Sequence, residues 1–113
     1  DRMEAEALKQ LVLGALEDLK AVNTVSLDVS ELTDVMDHLV VTSGTSNRHV
    51  KSLASNVCLE AKKHGVRALG VEGEDAGEWV LVDFGDLVVH VMLPATRDFY
   101  DLERLWVAHD SPA

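Results

Sequence analysis

Gly77-Glu78-Trp79-Val80-Leu81-Val82-Asp83-Phe84-Gly85-Asp86-Leu87-Val88-Val89-His90-Val91-Met92 reads as two strands joined by a tight turn. Two apolar, largely β-branched runs flank a short connection that contains glycine, the pattern of a β-hairpin. With Phe84 and Gly85 as the turn residues, Asp83 lies opposite Asp86, Leu81 opposite Val88 and Trp79 opposite His90. Opposed residues share a face. One face then carries Trp79, Leu81, Asp83, Asp86, Val88, His90 and Met92. The other carries Val80, Val82, Leu87, Val89 and Val91, all aliphatic, and is a core face.

Outward from the hairpin, the rest of the chain supplies its partners. Upstream, Leu8, Leu11, Val12, Ala15, Leu16 and Leu19 recur at helical spacing and predict an amphipathic helix from Glu4 to Ala21 that ends near Asn23. Val25 to Val29 alternates as a strand does, and Ser30 to Asp37 fits either a helical turn or an irregular connection. His38 to Thr42 is a short apolar run with the character of a buried strand. Thr45 or Ser46 is a natural N-cap for a second helix, whose buried stripe is Val50, Leu53, Ala54, Val57, Cys58 and Ala61. Lys62, Lys63 and His64 suit the negative end of its dipole, and Gly65 its C′ position. Val66 to Val71 is a further strand candidate, followed by the acidic loop from Glu72 to Gly77. Downstream, Pro94 opens a short helix with Phe99, Leu102 and Trp106 as its inner stripe, and 107–113 reads as a frayed tail. The expectation is an α/β fold, one domain over 1–113: a mixed sheet of about five strands with flanking helices, closing in an antiparallel hairpin and a C-terminal helix.

Composition narrows the function. The 113 residues are 47% hydrophobic and 27% charged, as in ordinary globular proteins. No apolar run approaches the roughly 20 residues that span a bilayer. A single cysteine, Cys58, forbids an internal disulfide and gives no sign of an oxidising compartment, so the default home is cytosol or an organelle matrix. A formal charge of −10 opposes binding to nucleic acid over most of the surface, while it suits a basic protein partner.

Chemistry is sparse. His38, His49, His64, His90, His109 and Cys58 show neither Cys-x-x-Cys nor His-x-x-x-His spacing, so no metal is expected. Ser43-Gly44-Thr45-Ser46 precedes a helix, where an anion can bind with help from Arg48 and His49. It lacks the lysine of a P-loop, and a plain capped turn accounts for it. Asp83 and Asp86 could form a carboxylate pair, but aspartate is common beside tight turns for geometric reasons. The mixed hairpin face has two explanations: packing beneath a helix, or an aromatic and aliphatic patch with an acidic rim, the composition of a protein-binding surface. Because the aliphatic face claims the helices first, the patch is expected to be partly open.

Four motifs now combine. Thr42-Ser43-Gly44-Thr45-Ser46-Asn47-Arg48-His49-Val50, Gly70-Val71-Glu72-Gly73, the hairpin from Trp79 to Met92, and Arg97-Asp98-Phe99-Tyr100-Asp101-Leu102-Glu103-Arg104-Leu105-Trp106 resemble, in order, the ribosomal silencing factor (RsfS, Iojap-like) family. The resemblance runs from about Leu8 to Trp106, with Ser30 to Asp37 less typical apart from Thr33-Asp34. It implies a nucleotidyltransferase-like fold and a cytoplasmic translation repressor. Such a factor binds ribosomal protein L-fourteen on the large subunit and blocks joining of the small one. It further implies no cofactor, no membrane, no dependence on nucleic acid, and a monomer or homodimer. The related enzymes carry Gly-Ser and then Asp-x-Asp. Here the order is Ser43-Gly44 with no Asp-x-Asp, so no catalysis is expected. The expected partner contacts are Trp79, Leu81, Val88 and His90, with Asp83, Asp86 and Glu72 as acidic partners and Met92 at the margin. A nucleotidyltransferase-like enzyme and a generic acidic interaction module are the alternatives.

Overall fold

The computed structural model describes residues 4–107 and contains one five-stranded sheet, in the order β1-β2-β5-β4-β3. Along the chain the elements are α1 (Ala5–Asp18), β1 (Val22–Asp28), β2 (His38–Ser43), α2 (Asn47–Lys63), β3 (Gly70–Glu72), β4 (Trp79–Asp83), β5 (Leu87–Met92), α3 (Pro94–Tyr100) and α4 (Leu102–Val107). The pairs β1–β2, β3–β4 and β4–β5 are antiparallel, and β2–β5 is parallel. This is the expected mixed α/β sheet. Every residue of β2 is buried, which follows from its central position and its apolar sequence on both faces.

Helices α1 and α2 cover the aliphatic face. Leu8, Val12, Ala15 and Leu16 of α1 and Val50, Leu53, Ala54, Val57 and Ala61 of α2 pack there against Val40, Val80, Val82, Leu87, Val89 and Val91. Cys58, expected in that stripe, is only half-buried, and burial raises its thiol pKa. Ser46 caps α2 by accepting the His49 amide at 3.1 Å. Both helices stop in the same motif: Ala21 N–H reaches the Leu16 carbonyl and Lys20 N–H that of Glu17, as Val66 and Gly65 do with Ala61 and Lys62. In α1 the left-handed position is Lys20, φ +62°, so the helix ends at Asp18 rather than near Asn23, and Leu19 is exposed. His49 ties the two helices: its Nδ1 accepts the Thr45 amide at 2.8 Å and its Nε2–H donates to the Leu19 carbonyl at 2.7 Å. Both ring nitrogens are thus engaged within the fold.

The opposite face has its own smaller core of Val29, Leu39, Val41 and Met92, joined by Leu32 and Met36 from the 29–37 connection and by Leu102 and Trp106 of α4. That connection opens with a single helical turn, the Val29 carbonyl accepting the amides of Leu32 (2.9 Å) and Thr33 (3.1 Å), and is irregular from there to Asp37. It is pinned to the hairpin where the Asp86 carbonyl accepts the amides of Asp37 (2.7 Å) and His38 (3.0 Å).

Three further expectations are corrected. β1 starts at Val22 with a bulge around Asn23, whose φ is +51°. β3 is confined to Gly70–Glu72. The final helix is two helices, broken at Asp101 in the left-handed region (φ +47°). The break cancels the periodicity from Phe99 to Trp106: Leu102 and Trp106 face the small core, while Phe99 is 81% exposed. The buried residue of α3 is Arg97. Val107 closes α4, and the remainder of the expected tail, 108–113, lies outside the described residues.

Candidate protein-docking face

The hairpin register is Trp79↔Met92, Leu81↔His90 and Asp83↔Val88. The turn residues are Gly85 and Asp86: Phe84 N–H bonds the Leu87 carbonyl at 2.9 Å, and Gly85 supplies the positive φ (+94°) at the first turn position. The register therefore differs by two residues from the sequence expectation. A slip of two preserves every side chain's face, because the strand period is two. Trp79 and His90 become diagonal neighbours, and Asp86 moves from opposite Asp83 into the turn. Asp83 Oδ1 accepts the Gly85 amide at 2.8 Å, a local bond that shapes the turn.

Register extends the face across the sheet. Glu72 pairs with Leu81, so the row Glu72–Leu81–His90–Val41 runs from edge to centre. Beside it runs Trp79–Met92–Ser43. Burial sorts these residues. Glu72 and Asp86 are exposed, and Trp79, Leu81, Asp83 and Val88 are partly exposed. His90 is 7% exposed and Met92 fully buried, so both lie beneath the surface instead of on it.

Two residues that the sequence pattern assigned elsewhere or left out join this face. The Trp79 ring packs on Tyr100 with centroids 4.8 Å apart, and Phe99 meets Tyr100 edge-on at 4.9 Å. An aromatic run thus leads from half-buried Trp79 to exposed Phe99. It is held by Arg97, whose Nη1 donates to Ser43 Oγ at 3.1 Å while its guanidinium grips Glu103 of α4. The sequence signals here were the Pro94 helix start and the family-like stretch from Arg97 to Trp106, and neither shows the break, because Asp101 leaves no compositional mark.

The face is chemically quiet. Burial depresses the His90 pKa to about 4, so the imidazole is neutral at physiological pH. Among the described residues, no three His, Cys, Asp or Glu side chains cluster as metal ligands. A shallow concavity of about 720 Å³ lined by Gln10, Glu17, Lys20 and Thr24, among others, shares no residue with the aromatic face. No helix among the described residues is long and apolar enough to cross a membrane. What remains is an apolar and aromatic surface rimmed by carboxylates, suited to a complementary protein surface.

Comparison with known proteins supplies the context. A family model described as "Ribosomal silencing factor during starvation" matches residues 2–113. The chain is 51% identical over 104 residues to a ribosomal silencing factor of Chromobacterium violaceum, covering 92% of this chain and 85% of that protein. It is 42% identical over 73 residues to a mouse protein named for mitochondrial assembly of the ribosomal large subunit, covering 62% of this chain and 32% of that one. A crystal structure of a Chromobacterium violaceum protein, 49% identical, superimposes with a TM-score of 0.91 over 98% of this chain and 92% of that one.

Proposed function

Since the chain belongs to the ribosomal silencing factor family, we propose that it docks on the large ribosomal subunit through ribosomal protein L-fourteen. Its bulk then keeps the small subunit from joining, and translation is repressed without any chemical step. One observation carries the docking part: partly exposed Trp79 continues into exposed Tyr100 and Phe99, with Glu72, Asp83 and Asp86 at the rim. Buried aromatic anchors inside a charged rim are what protein interfaces use for affinity and steering. Ribosomal proteins are generally basic, so a chain of net charge −10 is matched to such a partner and repelled by RNA. The name of the mouse relative supports the large subunit as the target, and the bacterial relatives support the cytoplasm as the place. Trp79, Leu81 and Val88 would make the apolar contact, while His90 and Met92 support them from below.

The test is competition. Large subunits incubated with the protein and then offered small subunits should yield fewer joined ribosomes on a density gradient. Trp79→Ala should restore joining while remaining folded. A folded Trp79→Ala protein that still co-sediments fully with large subunits would show that the docking face is elsewhere.

A further inference from the structure

The Trp79 indole is gripped on two sides. Tyr100 lies against the ring, and Nε1–H donates to Nδ1 of His90 at 2.9 Å. To accept at Nδ1, the neutral imidazole must carry its proton on Nε2, so the bond selects one tautomer. The acceptor has no cheap alternative: a buried acceptor left unpaired is costly, and His90 is buried. In its row His90 lies between Val41 and Leu81, both aliphatic, so neither directly paired neighbour supplies a competing donor. The two rings meet at 51° with centroids 5.9 Å apart, and the indole N–H is held by a buried acceptor.

We propose that His90 is a positioning residue of the docking face: without touching the partner, it holds the Trp79 indole in its docking rotamer through the Nδ1 acceptor. The proposal rests on the reading of Trp79 as a partner contact. An indole left to sample several staggered wells must be ordered when the partner arrives, and that ordering weakens binding. One already locked needs no such ordering. Burial keeps the imidazole neutral at physiological pH, so the acceptor is present throughout the working range.

Two replacements separate the acceptor from the bulk. His90→Asn places an amide oxygen near the position of Nδ1, whereas His90→Phe keeps the ring volume and removes the acceptor. Binding to purified large subunits is measured for wild type, both variants, Trp79→Ala, Trp79→Phe and Trp79→Phe/His90→Phe. The indole N–H resonance of Trp79 is followed by NMR in the free proteins. The expected result is near wild-type binding and a hydrogen-bonded indole resonance for His90→Asn. His90→Phe should lose both, weakening binding about tenfold, and should cost nothing further in the Trp79→Phe background. Equal losses in His90→Asn and His90→Phe, or none in His90→Phe, overturn the positioning role while a loss in Trp79→Ala leaves the docking face standing. Full binding by Trp79→Ala overturns both.

Discussion

Arg97 and Glu103 form a two-pronged pair across the break between α3 and α4, Nε to Oε1 at 3.1 Å and Nη2 to Oε2 at 3.0 Å. The arginine side chain is 10% exposed and the glutamate 24%, so neither charge is well hydrated. Removing one partner strands the other. Arg97→Ala should lower stability by about 3 kcal/mol in urea denaturation, and Glu103→Gln by about 1 kcal/mol because the amide oxygen still accepts. Amide exchange in α4 should accelerate in both, since this pair is what seats Leu102 and Trp106.

The histidine under Trp79 predicts a pH dependence. Its folded pKa of about 4 lies below the ordinary 6.5, so between those values the unfolded chain binds a proton that the folded chain excludes. Stability therefore falls as pH drops from 6.5 toward 4, by about 3 kcal/mol across the window. His90→Asn should remove that contribution. Denaturation midpoints should fall less steeply from pH 7 through 5.5 to 4.5 in the variant than in wild type.

Two glycines should respond to alanine in opposite directions. Gly73 sits at φ +86°, and a Cβ there would collide with the Trp79 carbonyl oxygen. Gly73→Ala should cost about 3 kcal/mol or more and displace the first residue of β4. Gly14, exposed within α1, has no neighbour within 4 Å of an added Cβ. Gly14→Ala should stabilise by roughly 0.5–1 kcal/mol. Thermal unfolding of the pair checks both.

The acidic rim should act on encounter and salt dependence more than on fold. Asn at position 83 can still accept the Gly85 amide that Asp83 now accepts, so Asp83→Asn/Asp86→Asn removes charge and keeps the turn. Affinity for large subunits should fall about fivefold at low salt and converge with wild type at high salt. Equal affinity at every ionic strength would mean that the rim does not face the partner.

Much of this architecture was legible because strand faces depend on parity. The hairpin register differs by two residues, yet Trp79, Leu81, Asp83, Val88, His90 and Met92 stay on one side. The end of α2 was legible because Gly65 stands where the left-handed turn falls. The end of α1 was not: Lys20 takes the same conformation with no glycine to announce it. Asp101 hid the split of the last helix in the same way, and so hid the exposure of Phe99. Depth was the other illegible quantity. Alternation placed His90 and Met92 on the mixed face, but depth follows from what packs over them, Trp79 on His90 and the small core on Met92.

The sheet order carries a consequence for how the chain is made. The central parallel pair joins β2 to β5, with α2, β3 and β4 between them in sequence. Strand β2 is buried along its length, and one of its sides stays open until Leu87–Met92 arrive. A product of synthesis or proteolysis that stops short of Leu87 therefore displays an unpaired, two-sidedly apolar strand edge, the feature that recruits other chains into aggregates. Such a fragment would also lack the Trp79–His90 bond and the aromatic run beyond it. Solubility and partner recognition thus come into being together, late in the chain.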